Sequence, residues 1–268
     1  MILVTAATGK VGRNVVSGLI ELGAEVTALA RDPGNADLPG GVGVVQGDLT
    51  SPGELAGHLE GVDEVFLVWP LLTADGADAL AQTLADHARR IVYLSAEAAV
   101  GRADSSWALV ERSIERSASE WVFLRPTGFA ANTLIWADQM RAGDVVRWVY
   151  GEAARSLIDE RDIADVAVLA LTGDDHVGAR HVLTGPATVT QAEQVQAIGD
   201  AIGRSLRWEE IRPEDVHDEL SGIPDSALDT WASFVANPEI VTSTVRELTG
   251  RDARSFAQWA RDNADEFR

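Results

Sequence analysis

The chain has 268 residues, 46% of them hydrophobic, and carries 42 acidic against 22 basic residues for a formal net charge of −20. The apolar share is that of an ordinary globular core, while the negative charge argues against nucleic acid as a direct partner, because a phosphate polymer is repelled over most of such a surface. There is no cysteine, which excludes disulfides, thiolate metal sites and cysteine nucleophiles.

Met1 runs at once into an apolar strand expected at 2–5, so no signal peptide is expected. No apolar run approaches the roughly 18 residues of a membrane span. A cytoplasmic protein with no membrane partner, monomeric or homodimeric, is therefore expected. The strand enters a small-residue turn in which Gly9 and Gly12 stand three apart, and Val11, Val15, Val16, Leu19, Ile20 and Leu22 follow at helical spacing. A strand, tight turn and helix in this order set backbone N–H groups and the positive end of a helix against a ligand phosphate. Thr8, Gly9, Lys10, Val11 and Gly12 form the expected cradle, and Lys10 is the only lysine in the chain.

A second strand at 25–30 ends on Arg31. In such units an acidic residue at this place accepts hydrogen bonds from a ribose 2′-OH, whereas an arginine pairs with a 2′-phosphate. Arg31 thus favours NADPH over NADH; the adjacent Asp32 and a plain surface arginine are the competing reading. Against the negative field of the chain, Lys10, Arg13, Arg31 and the helix N-terminus are the candidates for a local positive site.

Further strands are expected near 43–46, 64–68, 90–95 and 121–125, with helices between them and a loop at 33–41. Ser51 and Pro52 followed by Glu54 is a helix start, as is Thr190 followed by Glu193. Alternation of this kind predicts an α/β fold: a Rossmann-type, doubly wound parallel sheet covered by helices. Beyond about residue 126 the pattern changes. Strand-like pieces near 145–149, 155–159, 180–184 and 206–211 mix with helices near 162–172, 190–203, 213–221, 226–236, 243–249 and 255–265. The division expected is a nucleotide-binding domain at 1–130 and a smaller α+β portion at 131–268, interleaved with the sheet and covering a substrate cleft at its carboxyl edge.

Chemistry is sought where strands end. Trp69, Trp107 and Trp136 each lie shortly after a strand, with Phe129 and Asn132 nearby in sequence. Together they would wall a flat apolar pocket for a planar substrate; the alternative is that they are packing residues. Many reductases of this fold protonate a carbonyl oxygen with Tyr-x-x-x-Lys. Here Tyr93 is followed four residues on by Glu97 and Tyr150 by Ala154, so the dyad cannot form. Tyr93 reads as core, and Tyr150, beside Gly151, either faces the cleft or does not. Glu111 shares a helix face with Trp107; it orients substrate or water, or pairs on the surface with Arg112 or within the Glu115–Arg116 stretch. Ser95 hydrogen-bonds nicotinamide or substrate, or finishes its strand. The five histidines have no metal-ligand spacing, and Asp159, Asp162 and Asp165 read as a helix start with Asp162 as cap, so no metal is expected. No Gly-x-Ser-x-Gly elbow is present.

These residues resemble the NmrA-like, atypical short-chain dehydrogenase family. The resemblance is carried by Val4 to Gly12, Ala30 to Pro33, Gly47 to Leu49, Gly61 to Asp63, Phe123 to Phe129 with Asn132, Ile158 to Ala167, Leu183 to Pro186 and Arg254 to Phe256. It implies an NADP(H)-binding Rossmann domain with residues 8–12 on the pyrophosphate, Arg31 on the 2′-phosphate, and Asp48 and Leu49 flanking the adenine. The nicotinamide would lie against strand ends four to six: Val68, Trp69, Pro70, Ser95, Ala96, Pro126, Thr127 and Phe129. The family usually has glycine where this chain has Ala6, which narrows the turn but is tolerated while its φ stays negative. The resemblance implies either a reductase of quinones, imines or activated C=C bonds, or a protein that binds the cofactor and regulates a partner without catalysis; for this chain the expected substrate is of the quinone, imine, enone or ketone type. A small-molecule reductase is the leading expectation and the NADP(H)-sensing regulator its alternative. A lyase or isomerase with Glu111 or Asp138 as base is a third.

Overall fold

The computed structural model describes residues 1–220 and 222–268. In chain order the elements are β1 (Ile2–Val4), α1 (Lys10–Glu21), β2 (Val26–Ala30), β3 (Gly43–Gln46), α2 (Pro52–Leu55), β4 (Glu64–Leu67), α3 (Ala77–Ala85), β5 (Arg90–Leu94), α4 (Ser106–Ser117) and β6 (Glu120–Pro126). Next come α5 (Ala137–Ala142), β7 (Val145–Trp148), β8 (Ala154–Arg155), α6 (Glu160–Thr172) and β9 (Arg180–Leu183). The chain finishes with β10 (Val189–Thr190), α7 (Gln191–Ile202), β11 (Arg207–Glu210), α8 (Val216–Glu219), α9 (Asp225–Ala236), α10 (Thr244–Thr249) and α11 (Phe256–Asp262). No helix among the described residues is long and apolar enough to cross a membrane.

The chain divides into two units: Met1–Pro126 with Glu160–Leu183, and Thr127–Asp159 with Thr184–Arg268. The first holds a seven-stranded sheet in the order β3-β2-β1-β4-β5-β6-β9. All its pairings are parallel, with Leu3 opposite both Thr27 and Val65. The order reverses between β1 and β4, the switch point at which open parallel sheets bind ligands. On one face Leu3, Leu67, Ile91 and Phe123 pack with Leu80 and Leu84 of α3 and Val110 and Ile114 of α4. On the other, α1 lies so close to α6 that a Cβ on Gly18 would stand 3.0 Å from Val168 Cγ2. The chain leaves the sheet unit after Pro126 and returns to it with α6 and β9, β9 by pairing with β6.

The second unit is smaller. Its core gathers Trp136, Trp148, Val195, Ile198, Trp259 and Phe267. β7 pairs with β11 in parallel and β8 with β10 antiparallel. Helix α7 begins with the expected capping box: Glu193 N–H donates to Thr190 Oγ1 at 3.2 Å, and Glu193 Oε2 accepts from the Thr190 N–H at 2.8 Å. It ends at Gly203, whose φ is +72°.

Three expectations need correction. The strand expected over 155–159 is regular only at Ala154–Arg155, with a single bridge from Ile158 to Phe129 further on; between them Ser156 N–H goes to Glu239 Oε2 and Ser156 O accepts from the Thr127 hydroxyl. Helix α6 starts at Glu160, so Asp162 is a buried first-turn residue and not its cap; a carboxylate there still faces the positive helix end. The helix expected over 213–221 is a 3₁₀ turn, Pro213–Asp215, followed by α8 ending at Glu219, with residue 221 outside the described residues.

Candidate functional site

A cavity of about 460 Å³ opens at the carboxyl ends of β1 to β4. Ala6, Thr8 and Gly9 come from the turn after β1 and Arg31 from the end of β2; Asp48 and Leu49 follow β3, and Val68 and Pro70 follow β4. All of these but Ala6 were expected to bind the cofactor; Ala6 stood out only as the residue that replaces the family's glycine. Leu29, Gly47, Thr50 and Leu71 also line it and were missed, although Gly47 belongs to the Gly47–Leu49 stretch already singled out.

The turn is shaped for an anion. Gly9 is the N-cap of α1, no side chain caps that end, and its first turn holds no acid. The leading N–H groups of α1 thus have no intrahelical partner and add to its positive end. The helix starts unusually close to the turn: a Cβ on Gly12 would overlap the Ala6 carbonyl and sit 2.8 Å from its carbon, and one on Gly9 would lie 3.1 Å from Ala6 O. Val11 and Gly12 are buried and Lys10 is exposed; they hold up the turn without lining the cavity. The expected condition on Ala6 fails, since its φ is +48°. The left-handed conformation costs a residue with a Cβ roughly 1–2 kcal/mol, yet the turn forms and the cavity stays open.

The polar wall centres on Arg31 and Asp48. Asp48 Oδ1 accepts from Thr50 N–H and Thr50 Oγ1, both at 2.8 Å. These bonds first, with Arg31's charge in support, hold its carboxyl below the usual range. Arg31 is exposed and faces the cavity. Of the other expected cations, Arg13 reaches Asp37 at 3.3 Å.

The strand ends carry a buried polar group. Ser95 Oγ donates to Glu111 Oε1 at 2.6 Å, and Arg125 grips the same carboxylate with Nε on Oε1 at 2.9 Å and Nη2 on Oε2 at 2.5 Å. Glu111 is 4% exposed. Both surface pairings expected for it are therefore replaced by one to Arg125 across the fold. Both oxygens of Glu111 are thus taken by protein donors, and Asp138 is exposed and paired with Arg141 at 2.9 Å. Tyr93 is wholly buried; burial, then the Glu111 charge, pushes its hydroxyl far above its ordinary pKa. Ala96 precedes a 3₁₀ turn, Glu97–Ala99.

Of the three tryptophans, Trp69 and Trp107 belong to the first unit and Trp136 to the second. Trp69 Nε1 donates to Thr73 O at 2.6 Å and its ring packs on the sheet core. Trp107 is 38% exposed on α4. Pro126 closes the first unit, while Thr127 and Phe129 belong to the second, where Phe129 bridges to Ile158. Asn132 and Trp136 line a cavity of about 270 Å³ inside the second unit, together with Trp148, Arg155, Gln191 and Trp231. Of these six only Asn132 and Trp136 were picked out in sequence. Trp148 was legible as the inward partner of Val146 on a strand of alternating burial. Tyr150, at φ +59°, packs partly buried on the second core, and Glu210 accepts its N–H at 2.6 Å and that of Gly151 at 3.0 Å.

Residues 6–174 match a family model described as NAD(P)H-binding. The chain belongs to the NAD(P)H-binding, NmrA-like family of atypical short-chain dehydrogenases. It is an oxidoreductase of that type. A curated relative from Streptomyces griseus, (4-alkanoyl-5-oxo-2,5-dihydrofuran-3-yl)methyl phosphate reductase, is 37% identical over 100% of this chain and 99% of its own. The NAD(P)H azoreductase of Xenophilus azovorans is 34% identical with the same coverage. Among solved structures, an NADPH-dependent quinone oxidoreductase from Escherichia coli complexed with NADPH superposes with a TM-score of 0.82 at 22% identity, covering 97% of this chain and 98% of the other. At that identity the likeness speaks for the fold. The cavity at the switch point, the uncapped α1 and the glycine that lets it approach are the features a dinucleotide pyrophosphate requires, so the residues present fit NAD(P)H.

Proposed function

We propose that the protein is an NADPH-dependent reductase of a flat, apolar small molecule of the quinone, imine, enone or ketone type, working without a Tyr-x-x-x-Lys dyad. The observation that carries the cofactor preference is Arg31 on the wall of the first-unit cavity, where a ribose 2′-phosphate is expected. The N–H groups at the start of α1 would hold the pyrophosphate, and Asp48 and Leu49 would flank the adenine. The bound nicotinamide supplies the hydride; the protein's part is to hold it against an already electrophilic acceptor. The azoreductase and furanone reductase relatives support small electrophiles as the substrate class.

The test is a paired titration with NADPH and NADH followed by nicotinamide fluorescence, then an oxidation assay against quinones, azo compounds, unsaturated lactones and imines. Selective NADPH binding with turnover of one class is the expected result. Equal binding of both nucleotides overturns the preference. Tight binding with no turnover across the panel favours a cofactor-sensing regulator instead.

A further inference from the structure

Trp69, expected on a substrate wall, has a different place in the first unit. Val68, Pro70 and Leu71 line the switch-point cavity, while the Trp69 ring packs, partly buried, on the core of the sheet. Its indole N–H reaches over three residues to donate to Thr73 O at 2.6 Å. Ala74 rests on the same core. Thr73 Oγ1 donates to Asp75 Oδ2, and on the other side Val68 N–H donates to Oγ1 of the buried Thr5, both at 2.8 Å. Residues 69–74 therefore form a bracket with two feet on the core and Pro70, Leu71 and Leu72 raised between them.

The two leucines differ. Leu71 is 39% exposed and on the cavity wall, whereas Leu72 is 96% exposed and lies off it. Pro70 and Thr73 are exposed too, so packing alone does not set the shape of this loop. Fixing loop residues costs backbone entropy. A hydrogen bond that closes the loop before a ligand arrives removes that cost from binding, which is how pre-organisation raises affinity. An apolar side chain held on a wet cavity wall then gains from being covered.

We propose that Leu71 holds the cofactor by apolar contact and that Trp69 is a positioning residue acting through it, its indole hydrogen bond keeping the loop in the shape that sets Leu71 against the dinucleotide. An apolar contact carries no preference for the 2′-phosphate, so it serves NADPH and NADH alike. The proposal rests on the reading that the switch-point cavity holds the nucleotide.

The test is a double-mutant cycle on dissociation constants, read by nicotinamide fluorescence with NADPH and with NADH. Leu71→Ala should weaken both nucleotides by about three- to tenfold through the lost apolar contact. Trp69→Phe keeps an aromatic ring on the core and removes the donor, and should weaken both by about two- to tenfold. The double variant should bind within about twofold of Leu71→Ala, because the tryptophan acts through the leucine. Leu72→Ala, on the same loop but off the cavity, should change neither nucleotide by more than about twofold. A tryptophan that only stabilises the sheet would lower the melting temperature and add its full effect on affinity to that of Leu71→Ala. That additivity overturns the proposal, as does Leu71→Ala binding like the natural chain or Leu72→Ala losing as much as Leu71→Ala. If Trp69→Phe fails to fold, Thr73→Val replaces it in the cycle; it removes the surface bond to Asp75 and loosens the same loop, with the same weakening and the same non-additivity expected. Gly12→Ala separates the two readings. If it weakens the nucleotides and Leu71→Ala does not, the cavity keeps its cofactor and this proposal falls; if neither variant weakens them, both readings fall.

Discussion

Arg125 holds Glu111 by two parallel hydrogen bonds, 2.9 Å and 2.5 Å long, with 14% and 5% of the two side chains exposed. The pair joins β6 to α4 beneath the strand ends. Breaking a buried pair from one side leaves a charge without its counterion, which costs about 3–5 kcal/mol. Arg125→Ala is expected to lower the unfolding free energy, read from urea denaturation, by that order. Ser95→Ala, which removes one bond to a carboxylate that keeps both from Arg125, should cost less, about 1.5–3 kcal/mol. A Ser95→Ala loss as large as that of Arg125→Ala would mean the serine carries more than this one bond.

The strain at Ala6 predicts an uncommon gain. Ala6→Gly removes the Cβ from a backbone held at φ +48° and should raise thermal stability by about 1 kcal/mol. Gly12→Ala should do the opposite, since its Cβ overlaps the Ala6 carbonyl. Nucleotide affinity would fall with it, as α1 is forced away from the turn. Unchanged affinity in Gly12→Ala would show that the turn does not hold the pyrophosphate.

Arg31→Ala should weaken NADPH by about 10- to 100-fold, the worth of a charge-assisted hydrogen bond to phosphate, and leave NADH within twofold. A parallel loss for both nucleotides, read by the same fluorescence titration, would place Arg31 on a shared part of the cofactor.

At the opposite end of the sheet, Arg90 is buried and donates to Glu120 Oε2 at 2.8 and 2.9 Å and to Asp174. The Arg90 hydrogen bonds are the first cause holding both carboxyls below their ordinary pKa. Carboxylates depressed by folding stabilise fully above their unfolded pKa, near 4, and lose that contribution as pH falls through the lower folded value. Stability should therefore drop below about pH 4. In Glu120→Gln the acid limb should be shallower. An acid limb as steep as that of the natural chain would assign the loss to other carboxylates.

The sheet was legible because most of its strands are short apolar runs that alternate with helix-spaced segments. The cradle was legible because two glycines and an apolar helix follow the first strand. Long-range choices were not. Arg112, Glu115 and Arg116 all lie within five residues of Glu111, yet Arg112 donates to Ala103 O, Glu115 pairs with Arg180 and Arg116 with Asp78. The register of β6 against β5 sets Leu124 opposite Leu94, and Arg125 and Ser95 are the next residues along. Nothing local to α4 reports that register. Likewise Arg155 and Gln191 reach the tryptophan cavity from segments far apart in sequence, and only the folded second unit brings them together.

The path of the chain also orders its own assembly. The sheet unit needs α6 and β9, which arrive only at Glu160–Leu183, after the first part of the second unit has been made. On a ribosome, residues 127–159 emerge before either unit can finish, and the edge of β6 that β9 will occupy stays unpaired until residue 183 is clear. Open strand edges invite association with other chains. A fragment cut at residue 130 would keep that edge open permanently and leave the face of α1 that α6 covers in water. Neither unit can therefore be cut out of the gene as one continuous stretch.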